Sequence, residues 1–214
     1  MKVELISYSK SSTDQSIQDM VAYCARVSNP ANQHNTETNE KLIKYLIRNQ
    51  HWSPFEMVSI CLEITTTRDI ARQILRHRSF SFQEFSQRYA VVEEASEFRE
   101  ARLQDHKNRQ NSIECTDESL QSEWEKIQKT VVDASDYAYK WALDKGIAKE
   151  VARSVLPEGL TPTRMYMNGT LRSWIHYIQL RSGKGTQKEH CEVANACAKA
   201  IEPIFPFIKE LLVE

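Results

Sequence analysis

Ser53-Pro54-Phe55-Glu56-Met57-Val58-Ser59-Ile60-Cys61-Leu62-Glu63-Ile64-Thr65-Thr66-Thr67, running on into Arg68 to Arg78, is the stretch on which the fold turns. Its opening Ser-Pro-x-Glu is a helix-start signal. The residues after it read instead as a strand. Val58, Ile60, Leu62 and Ile64 alternate with Ser59, Cys61, Glu63 and Thr65, a period that sends the apolar set to one face. The conflict resolves if residues 53–56 form one capped turn. Thr67 then caps a helix over Arg68 to Arg78, with Ile70, Ala71, Ile74 and Leu75 facing inward.

Working outward, residues 2–8 partly alternate and read as an opening or edge strand. Ile17, Met20, Val21, Cys24 and Val27 recur at helical steps, so residues 16–27 are an amphipathic helix that Asn29-Pro30 stops. Residues 29–37 are polar and loop-like. A second helix places Leu42, Ile43, Leu46 and Ile47 inward, capped by Thr38 or Asn39. Beyond the central stretch, residues 79–112 are polar and irregular. A long helix over 117–145 carries a stripe of Leu120, Trp124, Ile127, Val131 and Ala138, with Gly146 past its end. Residues 147–156 form a helix stopped by Pro157, and Met165-Tyr166-Met167 a short strand. Residues 171–181 and 186–201 are helical. The class is α+β, a small sheet with helices packed around it.

The chain has 214 residues, enough to bury one core, so 1–214 is expected to be a single domain. Lys+Arg number 28 and Asp+Glu 29, for a net charge of -1, which gives no global attraction to nucleic acid. Anion binding must therefore come from a local basic cluster. Neither a leader pattern nor a membrane-length apolar run is present, so no membrane association is expected. The five cysteines form no CxxC pair, which points away from zinc and disulfides and toward a reducing, cytoplasmic setting.

The local basic cluster is Arg76-His77-Arg78-Ser79-Phe80-Ser81-Phe82-Gln83-Glu84-Phe85-Ser86-Gln87-Arg88. Arginine presents a planar donor fork suited to phosphate. The serines add hydroxyl donors, the three phenylalanines flat apolar surface for a heterocycle, and Glu84 an acceptor for an amide or ribose hydroxyl. The bland reading is a solvated basic helix end. Spacing alone does not separate the two.

Arg-His-Arg, seven residues, then Ser86 resembles the signature of the flavin-dependent thymidylate synthases. Three further blocks run in the same order as in that family. They are His51-Trp52-Ser53-Pro54-Phe55-Glu56, then Val151-Ala152-Arg153-Ser154-Val155-Leu156-Pro157, and Leu171-Arg172-Ser173-Trp174-Ile175-His176 through Leu180-Arg181. The resemblance implies a small, central, largely antiparallel sheet surrounded by helices. It implies a homotetramer with active sites shared between subunits. It also implies reductive methylation of dUMP to dTMP, with methylenetetrahydrofolate as carbon donor and NADPH as reductant by way of FAD. No covalent bond from a protein side chain to the pyrimidine is needed, which suits the unremarkable settings of the cysteines. Carried over by motif, Gln73, Arg76 and the stretch Glu84, Phe85, Ser86, Gln87 and Arg88 hold dUMP, that stretch reaching across from a neighbouring subunit. Arg153 pairs with the phosphate. Arg181 is the catalytic arginine beside the pyrimidine, placed to stabilise charge developing on the ring. His51, Ser53, Arg76, His77, Arg78, Glu84, Thr170, Leu171, Arg172 and His176 fall at FAD positions. No metal is implied.

The sequence also departs from the family pattern. Gly185 stands where a histidine is usual, leaving that contact to be lost or supplied by Lys184 or His190. Thr170 and Gln83 replace frequent asparagines. Two other classes compete. A non-catalytic nucleotide- or nucleic-acid-binding module would use the basic cluster, against a net charge of -1. A nucleotide phosphohydrolase would need clustered carboxylates for metal ions, and Glu93, Glu94, Glu97 and Glu100 lack ligand spacing.

Overall fold

A computed structural model describes residues 1–211. The strands are β1 (Lys2–Tyr8), β2 (Ser59–Thr67), β3 (Phe80–Glu84), β4 (Arg102–Gln104), β5 (Ser112–Glu114) and β6 (Pro162–Thr170). Four of them make one sheet in the order β1-β2-β6-β3, every pair antiparallel, and β4 with β5 forms a separate hairpin. The central alternation holds in full. Ile60, Leu62 and Ile64 of β2 and Met165 and Met167 of β6 are all completely buried on one face. The turn ahead of β2 is a 3-10 turn, Ser53–Met57.

The helices are α1 (Ile17–Ala25), α2 (Asn39–Arg48), α3 (Arg68–Ile74), α4 (Glu118–Asp144), α5 (Lys149–Ala152), α6 (Leu171–Arg181) and α7 (Lys188–Ile201). The apolar faces of α6 and α7 cover the sheet. Trp174, Tyr177 and Ile178 meet Val193, Cys197 and Ile201 in the same cluster as the sheet residues. Trp174 donates its indole N–H to the Ile60 carbonyl at 3.0 Å, so this large ring is buried with its polar atom satisfied.

Five expectations change. The helix expected over Arg68 to Arg78 ends at Ile74, and Arg76-His77-Arg78 lies beyond it in a turn whose N–H groups reach back three residues. The reason is β3. Phe80 pairs with Gly169 on β6 and packs its ring where a side chain on residue 169 would stand. The stretch 79–112 is therefore not irregular throughout. Phe80 and Phe82 belong to the core, with Phe80 4.8 Å from the Trp174 ring, rather than to a ligand platform. The helix expected over 147–156 is only α5 followed by a 3-10 turn, Arg153–Val155, and Val151 and Val155 are exposed instead of forming an apolar stripe around Arg153. The three-residue strand at 165–167 is nine residues long, because Thr163, Met165, Met167 and Gly169 alternate inward with outward Arg164, Tyr166 and Asn168.

The stripe on α4 exists but points outward. Leu120, Trp124, Ile127 and Val131 are all exposed, while Gln128, Val132, Ser135, Tyr139 and Ala142 form the buried face. That face is largely polar because it grips backbone. The Gln128 amide donates to and accepts from the backbone of Arg99, at 2.8 Å each way, and Gln121 does the same at Ala101 (2.9 and 2.7 Å). The segment ahead of the β4–β5 hairpin is thereby strapped to α4.

Candidate active site

Strand β6 runs directly into α6, so this helix is aimed by the sheet. Thr170 caps it, its Oγ1 accepting the Ser173 N–H. The same hydroxyl donates to Glu56 Oε2 at 2.7 Å, and Arg172 Nη1 donates to Glu56 Oε1 at 2.6 Å. Glu56 comes from the 3-10 turn, whose Trp52 ring meets exposed His176 edge-on at 4.8 Å. Hydrogen bonds from Arg172 and then Thr170 hold the Glu56 carboxyl below the usual range. Burial, then the Arg172 charge, lowers His176. His51 and Ser53 lie exposed on the same turn, His51 against Tyr45. The Leu171 side chain is wholly buried and its N–H goes to the Val58 carbonyl, so neither faces a cleft.

The far end of α6 makes a second cluster. Arg181 Nε donates to His77 Nε2 at 3.1 Å. His77 must be neutral to accept, and burial, then the charges of Arg181 and Arg76, push its pKa down to about 4. Its ring lies 4.9 Å from Tyr177 and 6.2 Å from His190. Gln73, from the last turn of α3, reaches Gln187 at 2.8 Å and His190 at 3.2 Å. Between the two clusters, Arg76 and Arg78 are exposed, and among the described residues no hydrogen bond or ion pair engages either guanidinium.

The third group sits past β3. Ser86, Arg88 and Tyr89 line one side of an open cleft of about 750 Å³ whose other side is Gly146 to Glu150. Arg88 pairs with Glu150 at 2.9 Å, and Arg153 Nε donates to the Glu150 carbonyl at 3.4 Å. Gln87 is buried, its amide nitrogen without a partner among the described residues. Phe85 is half-buried and donates its N–H to the Arg164 carbonyl. Glu84 turns back toward α3 and β6, where Arg68 (3.3 Å) and Arg72 (3.5 Å) of the helix and Thr163 (3.0 Å) of the strand bind its carboxylate. The expected residues thus fall into three groups rather than one shell.

Sequence reasoning passes over Glu56, although it stands inside the quoted 51–56 block, and over Tyr177. It assigns no role to Gln187 or Glu189. His190 gives little signal, since its partner is 117 residues away. Gly185 has a φ of +104°, a conformation that disfavours the histidine expected there, and nothing crowds the place of a Cβ. His190 does not replace that histidine, because it is fully buried against Gln73. Of the four carboxylates a phosphohydrolase would use, Glu97 is engaged by the amino terminus and Glu100 by Arg102 and Lys188.

Fold and site define the class: an α+β protein whose sheet-aimed helices gather arginine and histidine around a few fixed carboxylates. The family model described as thymidylate synthase complementing protein matches residues 4–207, and the chain belongs to that family. It is 54% identical over 193 residues to a flavin-dependent thymidylate synthase of Synechocystis, covering 90% of this chain and 88% of that one. It is 50% identical over 214 residues to a protein of Paramecium bursaria Chlorella virus 1 described as "Probable flavin-dependent thymidylate synthase", covering 99% of both. In structure it resembles a UMP/dUMP methylase, PolB, of Streptomyces cacaoi, bound with 5-Br dUMP. The TM-score is 0.84 at 28% identity, covering 98% of this chain and 93% of that chain.

Proposed function

We propose that this chain is a flavin-dependent thymidylate synthase that converts dUMP, methylenetetrahydrofolate and NADPH with a proton to dTMP, tetrahydrofolate and NADP+. The observation that carries the reading is Arg181. It is anchored through Nε by a neutral histidine, so among the described residues its two Nη groups are left to meet a ligand, and Gln73 joins the same cluster through His190.

The residues present fit FAD. Arg76 and Arg78 offer unengaged donors suited to a diphosphate. Ser53, His51 and His176 flank them, with Thr170 and Arg172 fixed by Glu56. Bound there, FAD supplies the reducing equivalents taken from NADPH. Arg181 then stabilises negative charge on the pyrimidine carbonyls and N3, and the acceptor nitrogen of His77 stops its guanidinium from turning away. Gln73 and Arg76 orient the nucleotide. Ser86, Gln87, Arg88 and Arg153 take the phosphate.

Two features support shared sites in a homotetramer. The Ser86–Arg88 group forms its ion pair with Glu150, not with the Arg181 cluster. The outer face of α4 carries Leu120, Trp124, Ile127, Val131, Ala134, Ala138 and Trp141, alternating four- and three-residue steps. That is the 3.5-residue period of a helix packed along another helix. Within the described residues no helix is long and apolar enough to cross a membrane, and five free thiols fit a cytoplasmic, single-domain enzyme.

The test is the visible spectrum of purified protein, followed anaerobically after NADPH and then dUMP. A flavin spectrum that bleaches with NADPH in a dUMP-sensitive way supports the reading. Protein that never retains FAD when supplied with it sinks it.

A further inference from the structure

Glu189 anchors a chain of hydrogen bonds that runs in one direction only. Its side chain is 13% exposed and is held by Arg102 at 2.7 Å and Arg99 at 3.5 Å. Burial alone would raise its pKa. Its own backbone N–H, Gln187 and Arg102 outweigh that and hold it below the usual range, so it is a carboxylate and can only accept. Gln187 must therefore present its amide nitrogen, which it does at 2.9 Å. Its oxygen is then left to accept from Gln73 Nε2 at 2.8 Å. That turns Gln73 Oε1 toward His190 Nδ1 at 3.2 Å, which must carry the proton. His190 is fully buried and neutral, its pKa driven to about 3 by burial first and by Arg181 and His77 after it.

We propose that His190 is a positioning residue for the nucleotide site: Glu189 and Gln187 fix which end of the Gln73 carboxamide meets the substrate, and His190 anchors that amide from the core side. This rests on reading Gln73 as a dUMP contact. After both internal bonds are made, Gln73 keeps one free N–H and one free lone pair for a ligand. Flipping the amide would oppose oxygen to oxygen at Gln187, and His190 could keep its bond only by moving its proton to Nε2, so Glu189 and Gln187 set the direction and His190 holds the inner edge of the amide. His190 supplies the inner anchor at a cost. Its Nε2 and the neighbouring Tyr177 hydroxyl are buried without partners among the described residues, which an apolar residue at 190 would partly avoid.

The same chain gives the 93–114 segment a role. The two α4 glutamines hold its backbone at Arg99 and Ala101, and this brings Arg99 and Arg102 to Glu189. The segment thereby sets the charged end that gives the chain its direction.

The experiment is dUMP titration of the FAD-loaded enzyme by calorimetry for wild type, His190→Leu, His190→Asn, Gln187→Leu and the double variant His190→Leu/Gln187→Leu. FAD retention and thermal melting are measured alongside. Losing one anchor removes a hydrogen bond worth about 1 kcal/mol, so His190→Leu and Gln187→Leu are each expected to weaken dUMP about fivefold, with FAD retained. Asparagine places its amide nitrogen near the site of Nδ1, so His190→Asn is expected to recover most of that loss. The double variant is expected to be no weaker than the worse single variant, because both act through one amide. Wild-type affinity in His190→Leu, losses that multiply in the double variant, or no rescue by asparagine would each overturn the proposal. If His190→Leu fails to fold, Glu189→Gln and Gln187→Leu decide, and unchanged dUMP binding in both overturns it. Wild-type enzyme that keeps FAD but binds no dUMP removes the nucleotide reading itself, and this proposal with it.

Discussion

The far end of α6 and the stretch from Ser86 to Arg88 carry the same kind of chemistry in opposite states. At the end of α6, Arg181, His77, Gln73 and His190 are buried or half-buried, and each is hydrogen-bonded to another element of the chain. Past β3, Ser86 and Arg88 are exposed on a broad cleft, and Arg88 is held by one surface carboxylate. On the proposed assignment of roles, the difference teaches that a single chain preorganises the part of the site that would take the ring. The part that would take the phosphate stays unfinished until the ligand or a second copy of the chain arrives.

The sharpest way to break that contrast is Arg181→Met. If the inner cluster is the catalytic half, dTMP formation is expected to fall by on the order of a hundredfold or more, as when one preorganised charge donor is removed. Melting temperature should fall by no more than a few degrees, since the substitution removes the one hydrogen bond to His77 while the Nη groups carry no internal bond among the described residues. An enzyme that keeps its turnover would move the chemistry elsewhere.

The next effect tests the unfinished half. Trp124→Glu combined with Ile127→Glu changes two side chains that are 40% and 59% exposed in the single chain, so folding of the chain should survive. Sedimentation is expected to show a smaller species. dUMP binding should weaken by about tenfold or more, the scale of a lost charge-assisted hydrogen bond to phosphate. A variant that dissociates and yet binds dUMP normally would mean that one chain completes its own site.

Acid separates the halves more gently. His77 and His190 have folded pKa values of about 4 and about 3, against 6.5 for the free group. Between those values the unfolded chain binds more protons than the folded one. Their contribution to stability is therefore complete above pH 6.5 and is lost as pH falls through 4 toward 3. The groups facing them are Arg76, Arg181 and Tyr177, so protonation would add charge to an already cationic cluster. Melting temperature should drop between pH 6.5 and pH 4.5, and drop less in His190→Leu. Parallel curves would mean that His190 does not titrate as the structure implies.

How much of the molecule is legible in the sequence depends on the range of each interaction. β2 reads in full because its alternation is local and one-sided. β6 shows only at its centre, since Arg164 and Asn168 hide the period unless Thr163 and Gly169 are counted as inward. The helix after Thr67 reads too long because Arg76 and Arg78 are good helix formers, and the pairing of Phe80 with Gly169 that ends it lies across the sheet. The α4 stripe is visible, but a pattern of apolar residues does not say whose core it enters. In the site, motif spacing picks out Arg181 and Arg172, whereas the bonds that hold them, to His77 and Glu56, link residues more than a hundred positions apart. The chain from Glu189 to His190 is of the same kind.

The smallest expected effect bears on how loose the outer half is. Both Nε and Nη2 of Arg88 point at Glu150 Oε2, at 3.1 and 2.9 Å, with the two side chains 67% and 52% exposed. An exposed pair of this sort is worth about 0–1 kcal/mol, so it positions Arg88 weakly and competes with a phosphate only weakly. Glu150→Gln is therefore expected to tighten dUMP less than about fivefold, and the gain should shrink as salt is raised and the pair is screened. Loss of affinity would carry the opposite lesson. It would mean that Glu150 is what holds Arg88 in its binding pose, and that the phosphate half is preorganised after all, through α5 instead of through the core.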